Sequence, residues 1–386
     1  MNRINILNIN LIAGRTGAAQ LVNTITNDLP TTAFSYHILV WYNFWNDNHT
    51  SSIYKTNNSR LYKNIRYKWA VGLNFLFDRM TPWHINMKYL KNLKNYQEAD
   101  IIHLHSIQWG YFDRKELPTI SKEKIIIMTV HDDRLISGND KENNLFPYKT
   151  YKSYKQRKEI LKNCKMMYIW VSNRTNNKLR KDWITANNKM KTIYNGINTN
   201  IFFKQDKKKC RDELELPEDK TIIISIAWSG NKSKLKWLEY VKKIIEAYKK
   251  EGKYLFITIW NHASKKISDS FWEIWRVDHE KVGKYFNASD IFLYPTLADN
   301  CPLTVLEAIS CWLPVLSFNT WWVTELVEHK KNGYIAPYKD YEELKKWFEW
   351  IVKNKNILEI KLDNKFTQKS MVNQYMDLYQ SLIQKK

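Results

Sequence analysis

The stretch Tyr294-Pro295-Thr296-Leu297-Ala298-Asp299-Asn300-Cys301-Pro302-Leu303-Thr304-Val305-Leu306-Glu307-Ala308 follows the strand-like run Asp290 to Leu293 and carries a loop into a helix. Pro302 suits the first helical position, because its missing N–H would find no partner there, and Asn300 or Cys301 stands where a cap is needed. The amides of Leu303 and Thr304 are then free at the helix start, which favours a phosphate group. Glu307 lies about one turn further on, within reach of ribose hydroxyls. Asp299 precedes the helix, where a sugar can lie.

Working outward, strands alternate with helix-sized segments. Ile4 to Ile12 reads as a strand, the glycines between Gly14 and Gly17 punctuate it, and Ala18 to Leu29 has helical composition ending at Pro30. Strand-like runs recur at Ser35 to Val40, Ile101 to His105, Ile125 to Val130, Met167 to Val171 and Lys191 to Tyr194. A polar passage from Lys204 to Lys220 precedes a second series, with strands at Ile222 to Ala227, Leu255 to Trp260 and Asp290 to Leu293. Helices are expected at Leu235 to Lys250, Pro302 to Ser310, Tyr341 to Lys353 and Ser370 to Gln384. This rhythm predicts an α/β protein with parallel sheets covered on both faces. The expected division is an amino-terminal domain over 1–203, a second over 204–365 and a final helical segment over 366–386.

The bulk composition agrees. A chain of 386 residues with 44% hydrophobic content is too long for one ordinary core and suits two domains with a cleft between them. Apolar runs are only strand-sized, and Met1 to Pro30 has neither a hydrophobic signal block nor a small-residue cleavage site, so a soluble cytoplasmic protein is expected. Cys164, Cys210, Cys301 and Cys311 form no C-x-x-C pair and no histidines cluster at zinc spacing, which reads as reduced thiols with no built-in metal.

The net charge of +22 is lopsided, with 30 basic and 14 acidic side chains in residues 1–200. Between Lys55 and Lys94, nine basic residues and one acidic are interleaved with Leu61, Tyr62, Tyr67, Trp69, Leu73, Phe75 and Leu76. That mixture makes residues 55–94 a candidate face for an anionic membrane surface, with the protein peripheral to the inner face of the cell membrane. General basic composition that merely solvates a surface is the other reading. No zinc-finger spacing, aromatic RNP-like strand or helix-turn-helix pattern supports nucleic acid as a partner.

The segment from Asp299 to Glu307 resembles the acid-x7-acid motif of glycosyltransferase family 4, the group 1 glycosyl transferases. The resemblance extends through Gly17-Ala18-Ala19, Ile102-His103-Leu104-His105, Thr129-Val130-His131-Asp132, Tyr194-Asn195-Gly196-Ile197 and Asn332-Gly333-Tyr334. It implies a GT-B fold, with two facing Rossmann-like domains, parallel sheets and a carboxy-terminal crossover helix. It also implies a retaining, metal-independent transfer of a sugar from a nucleotide diphosphate carrier to a glycan or lipid-linked acceptor, with the nucleotide sugar as substrate and no cofactor.

On matching positions, the resemblance makes His131 the residue that contacts the donor sugar and Asp299 its partner in orienting it. Gly17, Asn300, Leu303, Thr304 and Glu307 are the other implied donor contacts. Lys236 takes the place of the family's phosphate-binding lysine, and Lys232 or Lys234 stands where an upstream arginine is usual. Lysine supplies charge to phosphate without arginine's bidentate fork. His103 and His105 are read as pointing to opposite faces of their strand, one of them structural and neither catalytic. Front-face attack, with the departing phosphate helping to take the acceptor proton, is the implied mechanism. A nucleotide-sugar epimerase and a catalytically impaired scaffold on the same fold remain open.

One departure stands out. The chain has 17 Trp and 10 Gly, where average usage would supply roughly 27 Gly. Trp237 follows the phosphate lysine, Trp312 interrupts Ala308-Ile309-Ser310-Cys311-Trp312-Leu313-Pro314-Val315, and Trp321-Trp322 precede Glu325, all where the family has glycine. Trp109, Trp183, Trp260, Trp275 and Trp347 also stand where glycine is ordinary. Some bacteria read the codon UGA as glycine, and translating such a gene with UGA as tryptophan produces this pattern. A chain that is naturally rich in tryptophan is the alternative, and there two adjacent indoles beside the donor would obstruct it.

Overall fold

The computed structural model describes residues 3–12, 17–42, 50–52, 87–105, 112–131, 158–173, 189–227, 238–260, 265–275, 277–297, 299, 301–320, 322–354 and 357–385. The chain forms two compact units, one of Met1–Tyr194 with Lys369–Lys386 and the other of Asn195–Gln368.

In the first unit, β1 (Ile4–Ile12) leads to α1 (Gly17–Asp28), β2 (Phe34–Tyr42) and β3 (Thr50–Ser52). The short helices α2 (Met87–Lys91) and α3 (Lys94–Glu98) precede β4 (Ile101–His105), and α4 (Leu117–Glu123) precedes β5 (Ile125–Val130), β6 (Met166–Trp170) and β7 (Lys189–Thr192). The sheet runs β3-β2-β1-β4-β5-β6-β7, and every neighbouring pair is parallel. The inner strands β5 and β6 are near-continuous apolar runs, as burial on both faces requires, while the edge strands β3 and β7 are polar. Leu7, Ile9, Leu39, Leu104, Ile126 and Met128 lie in one buried core. Burying each such side chain contributes roughly 1.5–3 kcal/mol.

The second unit repeats the plan. In chain order it contains α5 (Lys207–Glu213), β8 (Thr221–Ala227), α6 (Leu238–Tyr248), β9 (Tyr254–Trp260), β10 (Lys265–Ser268) and β11 (Phe271–Trp275). Then come α7 (His279–Ala288), β12 (Ile291–Leu293), α8 (Leu303–Ser310), β13 (Val315–Phe318), β14 (Gly333–Ala336) and α9 (Tyr341–Asn354). The sheet order is β10-β11-β9-β8-β12-β13-β14, parallel except for the β10/β11 edge hairpin, which the sequence reading did not anticipate. Finally α10 (Gln368–Ile383) returns the chain to the first unit.

Both sheets are registered by the same device. Asp100 accepts from the Asn5 amide at 2.9 Å and donates its own amide to the Asn5 carbonyl at 2.9 Å. In the second unit Asp290 does the same with Ile222, at 2.8 and 2.7 Å. Asp290 is buried, and its charge is balanced by Arg211 at 2.7 Å and Lys207 at 2.8 Å. Arg211 spends its remaining N–H groups on the carbonyls of Ala288, Pro217, Glu218 and Lys220. The polar passage that precedes the second series therefore holds α5, whose one buried cation locks the start of β8 to the end of α7.

The units divide at Tyr194/Asn195, upstream of the expected boundary after residue 203, and again after Gln368. Residues 195–203 belong with the second unit for a physical reason. Ile197 bridges Thr367, its amide donates to the Phe366 carbonyl at 3.0 Å, and Ser310 donates to the Phe202 carbonyl at 2.6 Å. Gly196 makes the first contact possible, since a Cβ there would lie 2.4 Å from the Thr367 carbonyl oxygen. The four cysteines are buried and form no disulfide. Among the described residues, no helix is long and apolar enough to cross a membrane.

Candidate functional site

The second unit places the acidic motif at the carboxyl end of β12, where open parallel sheets bind ligands. The buried Tyr294 hydroxyl donates to Asp299 Oδ2 and ties that half-buried carboxylate to the strand end. Cys301, also buried, takes a left-handed backbone with φ 49°, and the Asn195 side chain donates to its carbonyl at 3.4 Å. The turn then delivers Pro302 as the N-cap, extended at φ −63° and ψ 116°, with no side chain capping the helix. This corrects the expectation that Pro302 is the first helical residue and that Asn300 or Cys301 caps it. Leu303 is the first helical residue, and Asn300 lies outside the described residues.

The consequence for binding survives the correction. Leu303 and Thr304 occupy the first two helical positions, whose amides have no acceptor within a helix. Glu307, one turn on, is buried. Its Oε1 accepts from His279 Nε2 at 2.8 Å, while Oε2 is buried with no hydrogen-bond partner among the described residues. Leaving such an oxygen without a donor costs about 1–3 kcal/mol or more, which a ligand hydroxyl would remove. The hydrogen bond to Glu307 raises the His279 pKa against the opposing effect of burial.

In the first unit, His131 stands just after β5, and His105 ends β4 beside it. His105 Nδ1 and His131 Nε2 lie 3.0 Å apart and share one proton, their rings stacked at 5.3 Å. The reading that puts His103 and His105 on opposite faces is wrong. Residues two apart on a strand share a face, and these rings lie 4.0 Å apart. His103 Nδ1 meets the Tyr379 hydroxyl at 2.8 Å and its Nε2 meets Thr129 Oγ1 at 2.7 Å. Thr129 in turn meets the Tyr375 hydroxyl at 3.0 Å.

The polar face of α10 is thus built into the wall behind the histidines. Burial pushes His131 down to about 4, and burial together with the His131 charge pushes His103 down to about 3. His105 falls well below the usual range for the same reasons. All three are neutral at pH 7, so His131 can offer a hydrogen bond but not a charge.

Gly17 is the first residue of α1, at the carboxyl edge of the first sheet. Lys232, Lys234 and Lys236 lie outside the described residues, as do residues 53–86 of the candidate membrane face and Trp109, Trp183, Trp237 and Trp321. Trp312 is exposed and left-handed, at φ 59°. It sits beyond the far end of α8, roughly 13 Å along the axis from Leu303, so it does not crowd the phosphate end. Trp347 stacks on Tyr334 at 4.7 Å within a helix, and Trp322 has helical φ and ψ. Neither backbone requires glycine.

Residues 261–371 match the family model described as "Glycosyl transferases group 1". That segment of the second unit therefore resembles the group 1 glycosyl transferases. A relative, a 41.2 kDa protein in the cps region of Klebsiella pneumoniae, is 26% identical over 310 residues, covering 76% of this chain and 81% of its own. Sucrose-phosphate synthase from Thermosynechococcus elongatus superposes with a TM-score of 0.70 at 14% identity, over the whole of both chains. Anabaena HepE in complex with UDP-glucose gives 0.64 at 14% identity over 97% of this chain and 99% of its own. Two Rossmann-like sheets closed by a carboxy-terminal helix are the GT-B fold.

Proposed function

We propose that this protein is a glycosyltransferase that moves a sugar, with retention, from a nucleotide diphosphate donor to a glycan or lipid-linked acceptor in cell-envelope polysaccharide synthesis. The observation that carries the reading is Glu307, whose Oε2 is buried without a donor among the described residues, one turn beyond the first helical amides of Leu303 and Thr304, which have no acceptor within a helix. That spacing suits a ribose hydroxyl on the carboxylate and a phosphate on the amides. HepE is solved with UDP-glucose, and the Klebsiella relative lies in a cps region, which supports the donor class and the biological setting.

In this reading the departing diphosphate develops negative charge while the sugar becomes oxocarbenium-like, so positioning and electrostatics do most of the work. Lys236, with Lys232 or Lys234, and the α8 amides stabilise the diphosphate. Asp299 and neutral His131 orient the sugar. The acceptor proton passes to the departing phosphate during front-face attack. The basic segment 55–94 holds the enzyme against anionic lipid on the inner face of the membrane, where a lipid-linked acceptor would be met. Liposome flotation that is indifferent to lipid charge would remove that last element.

The deciding experiment incubates the purified chain with a panel of nucleotide sugars, beginning with UDP-glucose. Slow release of free nucleotide diphosphate is the expected result. Interconversion of the sugars would instead identify an epimerase. No turnover and no binding would leave a scaffold with an impaired donor site.

A further inference from the structure

We propose that His279 is a positioning residue for the donor, holding one oxygen of Glu307 so that the other is aimed at the ribose hydroxyls. The proposal rests on the nucleotide-sugar reading above and adds to it a residue outside the acidic motif. His279 opens α7, and its Nε2 donates to Glu307 Oε1 at 2.8 Å, with the histidine side chain 39% exposed and the glutamate 3%. The imidazole edge meets the fully buried Phe202 ring, with centroids 5.0 Å apart at 65°.

The helix can come this close because of Gly283, four residues on and therefore on the same face. A Cβ there would lie 3.0 Å from the Ile201 carbonyl oxygen. Two contacts therefore set the ring, the Glu307 carboxylate and the Phe202 ring, and the backbone approach at Gly283 brings its helix close to them.

Glu307 needs such a partner. The terminal torsion of a glutamate is broad, so a carboxyl group held at neither oxygen would sweep its lone pairs past the ribose. The charged groups acting on His279 are Glu307 from α8 and Glu280 from its own helix, while Phe202 brings none. Both acids favour the imidazolium, so it persists above the ordinary value of 6.5 and is lost as pH rises through that higher midpoint.

The test titrates the full chain calorimetrically with UDP, GDP and ADP. The tightest of these is then compared with its dideoxy counterpart, which lacks both ribose hydroxyls. His279→Ala should weaken binding of the ribonucleotide roughly ten- to a hundredfold, leave the dideoxy form nearly unchanged, and still unfold in one cooperative transition, at a somewhat lower temperature. His279→Gln, whose amide can donate to the same oxygen, should recover most of the loss. Wild-type affinity should fall as pH rises through the His279 midpoint, and the Gln variant should be flat over that range. Equal loss for both nucleotides, or none for either, would overturn the positioning role while leaving the donor site intact. Failure of the wild-type chain to bind any of the three would overturn the donor-site reading and this inference together.

Discussion

Trp312→Gly should stabilise the second unit. Trp312 follows the last residues of α8 with φ 59°, its amide donates to the Ile309 carbonyl at 3.0 Å, and the Leu313 amide donates to the Ala308 carbonyl at 3.0 Å. That pair of bonds is a Schellman ending, in which the left-handed residue is usually glycine. Holding a side chain in that conformation costs about 1–2 kcal/mol. The indole recovers part of this, because the Lys204 ammonium sits 3.8 Å above the ring centroid, a contact worth about 0.5–1 kcal/mol when exposed. Trp312 as a residue is 52% exposed, so about half of its surface lies open to solvent.

The balance favours glycine by about 0.5–1 kcal/mol, or roughly 1–4 °C in the melting temperature of a unit this size. Differential scanning calorimetry on three chains checks the reasoning. Trp312→Ala keeps the strain and loses the ring contact, so the expected order of stability is Gly, then Trp, then Ala. A glycine variant melting below the alanine variant would refute the left-handed argument. The same physics bears on the codon hypothesis, for which mass spectrometry of the chain from its own host should find glycine at 312. A tryptophan mass there would end it.

Arg211→Ala removes the buried cation that pairs with Asp290, and should cost about 3–5 kcal/mol in chemical denaturation of the second unit. A loss under 1 kcal/mol would show that the Asp290 clamp is not held by Arg211. For the first unit, His103 titrates at about 3 when folded and near 6.5 when unfolded, so the unfolded chain binds the extra proton as pH falls below 6.5. Stability should then drop by roughly 1.4 kcal/mol per pH unit for this residue until its folded pKa is reached. His103→Gln should show a correspondingly shallower acid slope, and identical slopes would exclude the effect. Asp299→Ala and Lys236→Ala should each reduce transfer roughly a hundredfold or more with the melting temperature unchanged. Normal turnover in either variant would remove that residue from the site.

Much of this protein is written in local patterns. Apolar runs of strand length alternating with amphipathic segments sufficed for two parallel sheets, because burial on both faces leaves a strand no polar side. The loop-to-helix step before Leu303 was visible from Pro302 alone, although its cap was misplaced by one residue, since the left-handed turn at Cys301 leaves no trace in residue type. Trp312 was singled out in the sequence as standing at a glycine position, and the backbone there is left-handed.

Tertiary structure decided the pairings. His279 and Glu307 are 28 residues apart with no spacing signal linking them, and they meet because Gly283 lets α7 close on Ile201. Arg211 reaches Asp290 across 79 residues, and Tyr379 reaches His103 across 276. A side chain's type and neighbours in sequence set which strand or helix it joins. Which buried charge or ring nitrogen it satisfies depends on which faces are packed together, and that is settled only when the sheets and helices have closed on one another.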